Sequence, residues 1–396
     1  MGGRPAVAAR AATCATLARM ADASAAVGLV LLAVDPATGL ARGPLIGGVL
    51  AALLSAPHTL GPVVAHVLDR TRHAGPVLAG FFAAYAVMLG IAALTVGRAP
   101  LVLAMVATVG AGLCGPLLTG GLSSRFASWI EAGAARRAEA LDSATYGAAG
   151  ILGPVAVTAS AATVGTRTAV LAVAAVAAAA AVLAVTLPAA GEAHASGDPA
   201  MRLTAVLAVM WRSLPLRRTT LGTCLAEMAA GALPVAAALL AARLGHPERD
   251  VGVMITAFGV GALAGSVIVA VRPPRAEPAR QLPVYAAVIA VAYAVAGCAP
   301  GFGVALAAFA VAGLADGPLL AATLAVRSRY APRAARARVF VTGAGLKIGA
   351  SSLGAALAGV AAPLGGRTLL VLSAVLAACG AVTMIGRRAA PGPTAG

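Results

Sequence analysis

Five side chains capable of acid–base chemistry interrupt otherwise apolar runs of this 396-residue sequence: Asp22, His58, Glu227, Asp316 and Lys347. Asp142 lies nearer the edge of a further run. A charged side chain facing lipid at mid-membrane costs roughly 2.5–3.5 kcal/mol, so several such groups are expected to face a wet interior or one another. Their chemistry is to hold and release a proton, to pair with an opposite charge, or to meet a charged part of a solute. Lys347 is the single lysine of the chain. An ammonium can lose its proton when desolvated, whereas a guanidinium effectively cannot. Lys347 is therefore expected to pair with Glu227 or Asp316, either as a fixed tie or as a pair for which substrate or proton competes. Asp22 has no obvious buried basic partner in its half of the sequence, which makes it the better proton carrier. His58 has the side-chain type that titrates near neutrality, although a histidine there is more often only hydrogen-bonded in the bundle.

The elements that must position these groups are long apolar segments. Twelve run through the sequence, over 13–34, 44–67, 76–96, 100–122, 138–161 and 168–187, then 219–242, 252–271, 283–299, 303–326, 339–362 and 368–385. A hydrocarbon core about 30 Å thick needs about 20 helical residues to cross it, and in lipid the backbone satisfies itself only in helices or closed barrels. With 60% hydrophobic residues, 11% charged residues and a mean hydropathy of +0.94, a soluble domain is excluded. The fold class expected is an all-α membrane protein with twelve transmembrane helices.

The formal net charge of +16 would suggest a nucleic-acid partner in a soluble chain. Its distribution points to membrane topology instead. Placing the N-terminus inside puts 22 arginines on the inner segments, Arg19 and Arg327 among them, and six on the outer ones. That asymmetry puts both termini in the cytoplasm. The five cysteines all fall in apolar stretches without metal-ligand spacing, as small hydrophobes do. The basic residues before the first apolar run resemble a signal peptide, but that run is of spanning length and has no clear cleavage site. The longest polar connection covers 188–216; its later part spreads Met201, Val206, Val209, Met210 and Leu214 beside Arg202 and Arg212, as a helix lying on the inner leaflet would. The organisation expected is a six-helix bundle over 1–187, a cytoplasmic central loop over 188–216 and a second bundle over 217–396.

Traces of duplication link the two parts. Leu17-Ala18-Arg19-Met20-Ala21-Asp22 parallels Thr223-Cys224-Leu225-Ala226-Glu227, and Ala111-Gly112-Leu113-Cys114-Gly115-Pro116-Leu117-Leu118 parallels Ala312 to Leu320 with one insertion. Two related halves around a midplane site form a known transporter architecture. The segment after the second helix, Gly61 to Gly75 with Asp69-Arg70-Thr71-Arg72-His73, resembles the cytoplasmic loop signature of the major facilitator superfamily, roughly Gly-x-x-x-Asp-Arg-x-Gly-Arg-Arg. Ala65 replaces its first glycine. The basic pair Arg136-Arg137, the run Tyr146 to Pro154 and the run Ala257 to Ser266 are similar to other parts of that superfamily. Two features of its drug–proton antiporters are missing: Val106 stands where a fourth-helix arginine would be, and Val157-Thr158 where a Gly-Gly pair would follow Gly153-Pro154.

The resemblance implies helices 1, 4, 7 and 10 around a central cavity, with 3, 6, 9 and 12 outside. It also implies a cytoplasmic gate built from Asp69, Arg70, Arg72, Arg136 and Arg137. The function expected is secondary transport by alternating access in the cytoplasmic membrane, with efflux of a small apolar or amphipathic compound favoured over import of a metabolite. The gradient of a proton or another ion, or the substrate's own gradient, would drive it. A non-transporting receptor or a lipid-handling protein of the same shape stays open. No nucleotide-binding loop, nucleophile–base set or metal-ligand cluster stands out, so neither enzymatic activity nor a cofactor is expected. The partners expected are a small-molecule substrate, a coupling ion and the lipid bilayer; nucleic acid is not among them, and the chain is expected to be a monomer.

Overall fold

The computed structural model describes residues 4–60, 74–123, 135–188, 203–247, 249–272, 274–332 and 335–385. Within them lie twelve helices long and apolar enough to cross a membrane. They are α1 (Arg4–Val34), α2 (Gly43–Leu60), α3 (Ala74–Thr95), α4 (Leu101–Gly121), α5 (Ala135–Val164), α6 (Thr166–Val185), α7 (Leu214–Arg243), α8 (Arg249–Val271), α9 (Pro278–Gly297), α10 (Phe302–Tyr330), α11 (Arg336–Val360) and α12 (Gly365–Met384). The protein is a multi-pass helical membrane protein.

Three of these helices change geometry where a proline removes a regular hydrogen bond. α2 tightens into a 3₁₀ turn over Ala56–Leu60, where Pro57 and His58 stand. α4 widens into a π turn over Leu117–Gly121 just after Pro116. α7 is two pieces, Leu214–Gly231 and Leu233–Arg243, broken at Ala232 with Pro234 opening the second. Each irregular turn lies beside a charged group of the interior.

The two halves repeat one pattern of packing. α1 packs on α5 and α6, α3 on α4 and α6, and α2 on α4; α7 packs likewise on α11 and α12, α9 on α10 and α12, and α8 on α10. The pairings between halves obey the same symmetry, α2 with α11 and α5 with α8. These two six-helix bundles are pseudo-symmetric. The duplication also appears in identical tetrapeptides on equivalent helices, Ala84-Tyr85-Ala86-Val87 of α3 and Ala292-Tyr293-Ala294-Val295 of α9, whose tyrosines are both fully buried.

Small residues bring the helices together. On α8, Gly261 and Gly265 lie against the α10 backbone at Ala310 and Leu314; on α10, Gly313 and Gly317 lie against Phe258 and Ala262. A side chain at any of the four would run into the neighbour's carbonyl. This reciprocal small-xxx-small packing replaces the hydrophobic driving force that lipid cannot supply. Gly313→Leu should therefore part α8 from α10 and lower the folded yield several-fold. Size-exclusion chromatography in detergent checks this, and Gly303→Leu, at an open position on the same helix, should leave the profile unchanged.

The structure corrects three boundary expectations. α1 begins at Arg4, nine residues before the apolar run itself, so Arg10 is helical. α10 continues to Tyr330 and takes in Arg327. The connection between bundles contains a helix over Leu203–Arg212, which packs Val206 and Met210 against Ala331, Ala335 and Val339 of the second bundle. Its inner face is thus covered by protein and not by lipid alone. Met201 and Arg202 lie outside the described residues.

Candidate functional site

In the first half, Asp22 sits midway along α1. His58 reaches it from the 3₁₀ end of α2, with its Nε2 3.2 Å from Asp22 Oδ2. The imidazole packs against Gly115 of α4, where any side chain would collide with the ring. On the far side, Tyr85 of α3 is fully buried within electrostatic reach of the same carboxylate. The Tyr85 hydroxyl and Asp22 Oδ1 are both buried without a well-formed hydrogen bond. Four helices thus converge on one carboxylate. The expectation that Asp22 lacks a basic partner is corrected: the tightened end of α2 turns His58 inward, which helical periodicity alone does not foretell.

One turn earlier on α1, Arg19 is 2% exposed, although its count among the inner-loop arginines placed it in solvent. Its Nη2 donates to Asp142 Oδ1 of α5 at 2.7 Å, to Ser123 Oγ at 2.8 Å and to the Thr119 carbonyl at 3.3 Å. Its Nη1 donates to the Asp142 carbonyl at 3.0 Å and to Thr145 Oγ1. The guanidinium also covers the Tyr146 ring at 3.6 Å from the centroid. The Thr119 carbonyl, in the π turn after Pro116, accepts this bond beside the one from the Leu122 amide. A planar fork with five donors suits such a node, which ties α1, α4 and α5 together.

In the second half, Lys347 Nζ of α11 lies 2.6 Å from Glu227 Oε1 of α7. Asp316, midway along α10, is electrostatically coupled to both members of this pair but has no ion-pair partner among the described residues. Tyr293 is buried beside Asp316 and Glu227 as Tyr85 is beside Asp22. Arg327, also assigned to a loop by its position in the sequence, is 2% exposed, with Nε and Nη2 lacking hydrogen-bond partners. Its guanidinium fits against Gly343.

The two acid–base pairs flank the seam between halves. The His58 carbonyl and Thr59 face Gly345, and Thr59 also faces Gly349, so Lys347 lies between two glycines that touch the first half. Farther along the seam Gly48 meets Ala355 and Gly359, and Gly252 of α8 is closed over by Thr158 of α5. The second piece of α7 packs on α1 and α2 as well. All these contacts run from mid-bundle toward the end carrying the connections 35–42, 165 and 361–364. No comparable pairing joins α4 to α10, or the first piece of α7 to α1, at the end carrying the termini, among the described residues. Among the described residues the contacts between halves gather toward that one side. Gly252→Leu should wedge that side apart and raise the labelling rate of a cysteine placed at Leu31 by tenfold or more.

Solved structures share this fold. The chain superimposes on a bacterial homologue of the human lysosomal transporter Spinster, in an inward-facing and unoccupied conformation, with a TM-score of 0.73, 15% identity, and coverage of 97% of this chain and 96% of that one. It superimposes on a variant of the nucleoside transporter NupG with a TM-score of 0.75, 13% identity and coverage of 96% and 98%. The chain has the major facilitator fold. The human organic anion transporter TETRAN matches it at a TM-score of 0.68 and 16% identity, over 96% of this chain and 99% of that one. No protein-family model matches the sequence, nor does any curated protein.

In the major facilitator fold as built here, the expected interior residues separate into clusters. Asp22 with His58 and Glu227 with Lys347 form two pairs, one per half, and Asp316 stands beside the second. Of the residues expected at the cytoplasmic gate, Asp69, Arg70 and Arg72 lie outside the described residues. Arg136 and Arg137 open α5, with their side chains also outside the described set. Arg19, Arg327, Tyr85 and Tyr293 are the interior groups that sequence reading missed. Arg19 could have been found, since it lies inside the first apolar span and three residues from Asp22, on the same helical face.

Proposed function

We propose that this protein is a secondary active transporter that works by alternating access between its two bundles, residues 1–187 and 217–396, joined by the connection 188–216. The observation that carries the reading is the placement of one acid–base pair in each half on either side of a seam whose contacts gather toward one end. Rocking the halves about that seam would change what each pair faces, whereas a rigid structural bundle has no need of ionisable groups there. The termini lie in the cytoplasm, so the structure corresponds to a state open inward. Asp69, Arg70, Arg72, Arg136 and Arg137 form the gate that closes that side when the halves rock.

Export of a small apolar or amphipathic compound fits the interior best, because the helices are mostly Ala, Val, Leu and Gly and the ionisable groups near the seam are few, the two pairs and Asp316. Protons supply the energy through Asp22 and His58, while Lys347, Glu227 and Asp316 take up substrate or respond to it. The protein acts as a monomer in the cytoplasmic membrane. Asp22→Asn and His58→Gln should each abolish uphill transport while leaving downhill exchange within a few-fold of the parent. Both should also flatten the pH profile between about pH 5 and 8, where histidine titrates. Fluxes in sealed vesicles across that range measure both. Unchanged uphill transport in Asp22→Asn would remove the proton assignment.

A further inference from the structure

The connection between the bundles presents a surface that the transport cycle does not employ. The helix Leu203–Arg212 buries Val206 and Met210 against the second bundle. The adjoining face exposes Leu207 and, one turn on, Trp211, which is 60% exposed; Leu214 is exposed just beyond. Arginines border this apolar strip. Arg212 is exposed, Arg217 stands over the Trp211 ring at 5.7 Å and donates to its carbonyl at 3.5 Å, and Arg218 follows half-buried. Charge at this end of the second bundle is one-sided, since Arg272, Arg275, Arg280 and Arg329 are also exposed there. Glu277, the acid at this end among the described residues, already accepts from the Tyr330 hydroxyl at 2.9 Å and faces Arg329 at 3.5 Å.

Exposed tryptophan beside apolar residues suits the boundary between headgroups and acyl chains. Guanidinium groups at that level match phosphate in charge and in bidentate geometry. We propose that residues 207–218 dock anionic phospholipid headgroups of the adjoining leaflet. Leu207 and Trp211 enter the acyl boundary, and Arg212, Arg217 and Arg218 hold the phosphates. A soluble phosphate would satisfy the arginines but leave the apolar strip in water, so the lipid is the occupant. Because the same helix is packed against the α10–α11 end, bound lipid steadies the connection through which the halves are joined.

The test places the full-length protein in nanodiscs of phosphatidylcholine, with or without phosphatidylglycerol. It measures phosphatidylglycerol retained after detergent extraction, and the thermal midpoint. The parent should retain phosphatidylglycerol and melt several degrees higher in its presence. Retention should fall roughly fivefold for each arginine removed in the series to Arg212→Gln/Arg217→Gln/Arg218→Gln. Should the triple variant not fold, Arg212→Gln alone, at an exposed position, should show the fivefold loss. Undiminished retention in Arg212→Gln and the triple variant would overturn the proposal. So would equal stabilisation by inorganic phosphate in phosphatidylcholine alone.

Discussion

Lys347→Gln should cut transport by a hundredfold or more and lower stability by about 1–3 kcal/mol. Removing one partner of a fully buried pair costs roughly 3–5 kcal/mol, because the other charge is left without compensation. Here the side chains of Lys347 and Glu227 keep 15% and 27% of their exposure, so water near the seam offsets part of that cost. The larger effect is on flux, because Glu227 would then carry its charge with no counter-ion just one turn from the break in α7 at Ala232. The double variant Lys347→Gln/Glu227→Gln separates two roles. Its thermal midpoint should return to within a few degrees of the parent, as charge removal in pairs is nearly neutral. Transport should stay lost. A double variant that regained transport together with stability would make the pair a tie between α7 and α11 and nothing more.

Arg19→Gln should have the largest effect on stability, about 3–5 kcal/mol, because it leaves Asp142 without its cation deep in the first bundle. It would also strip the donors from Ser123, Thr145 and the Thr119 carbonyl. Arg19→Lys should recover less than half of this, since an ammonium cannot reproduce the planar fork. Arg19→Gln/Asp142→Asn should recover most of it. Thermal unfolding in detergent ranks the four proteins. Transport per folded molecule in the double variant should stay within a few-fold of the parent, which sets this node apart from the seam pairs. Parent-like melting of Arg19→Gln would show that the guanidinium is not the tie among α1, α4 and α5.

How far the sequence led depended on which physics governed each feature. The number of helices was legible because bilayer thickness fixes a length that each apolar run must meet. The duplication was legible at Asp22 and Glu227, and at the Gly-Pro pairs of α4 and α10, where glycine and proline constrain the backbone. Helix ends were less so. Arg10, Arg19 and Arg327 look like loop residues by charge, yet a helix continues through an arginine whose head finds partners, as Arg19 does, or packs against a glycine, as Arg327 does against Gly343. The partner of Asp22 was hidden because His58 lies on a 3₁₀ turn, where a tighter pitch rotates each side chain away from the α-helical position. Of the two partners open to Lys347, the coordinates bring Glu227 into contact and leave Asp316 at longer range, a distinction that depends on the rotation of α10 and not on spacing. Tyr85 and Tyr293 carried a signal in their identical tetrapeptides, but tyrosine in an apolar helix ordinarily reads as bulk.

Net movement of a solute is what separates a carrier from a receptor of the same shape. A compound that stabilises the purified protein in a thermal screen, loaded outside sealed proteoliposomes with an imposed proton gradient, provides the decisive measurement. The account predicts accumulation against the solute's own gradient, collapse of that accumulation when the proton gradient is dissipated, and loss of flux in Lys347→Gln. Saturable binding of the same compound with no transmembrane movement, under either direction of the gradient, would contradict it.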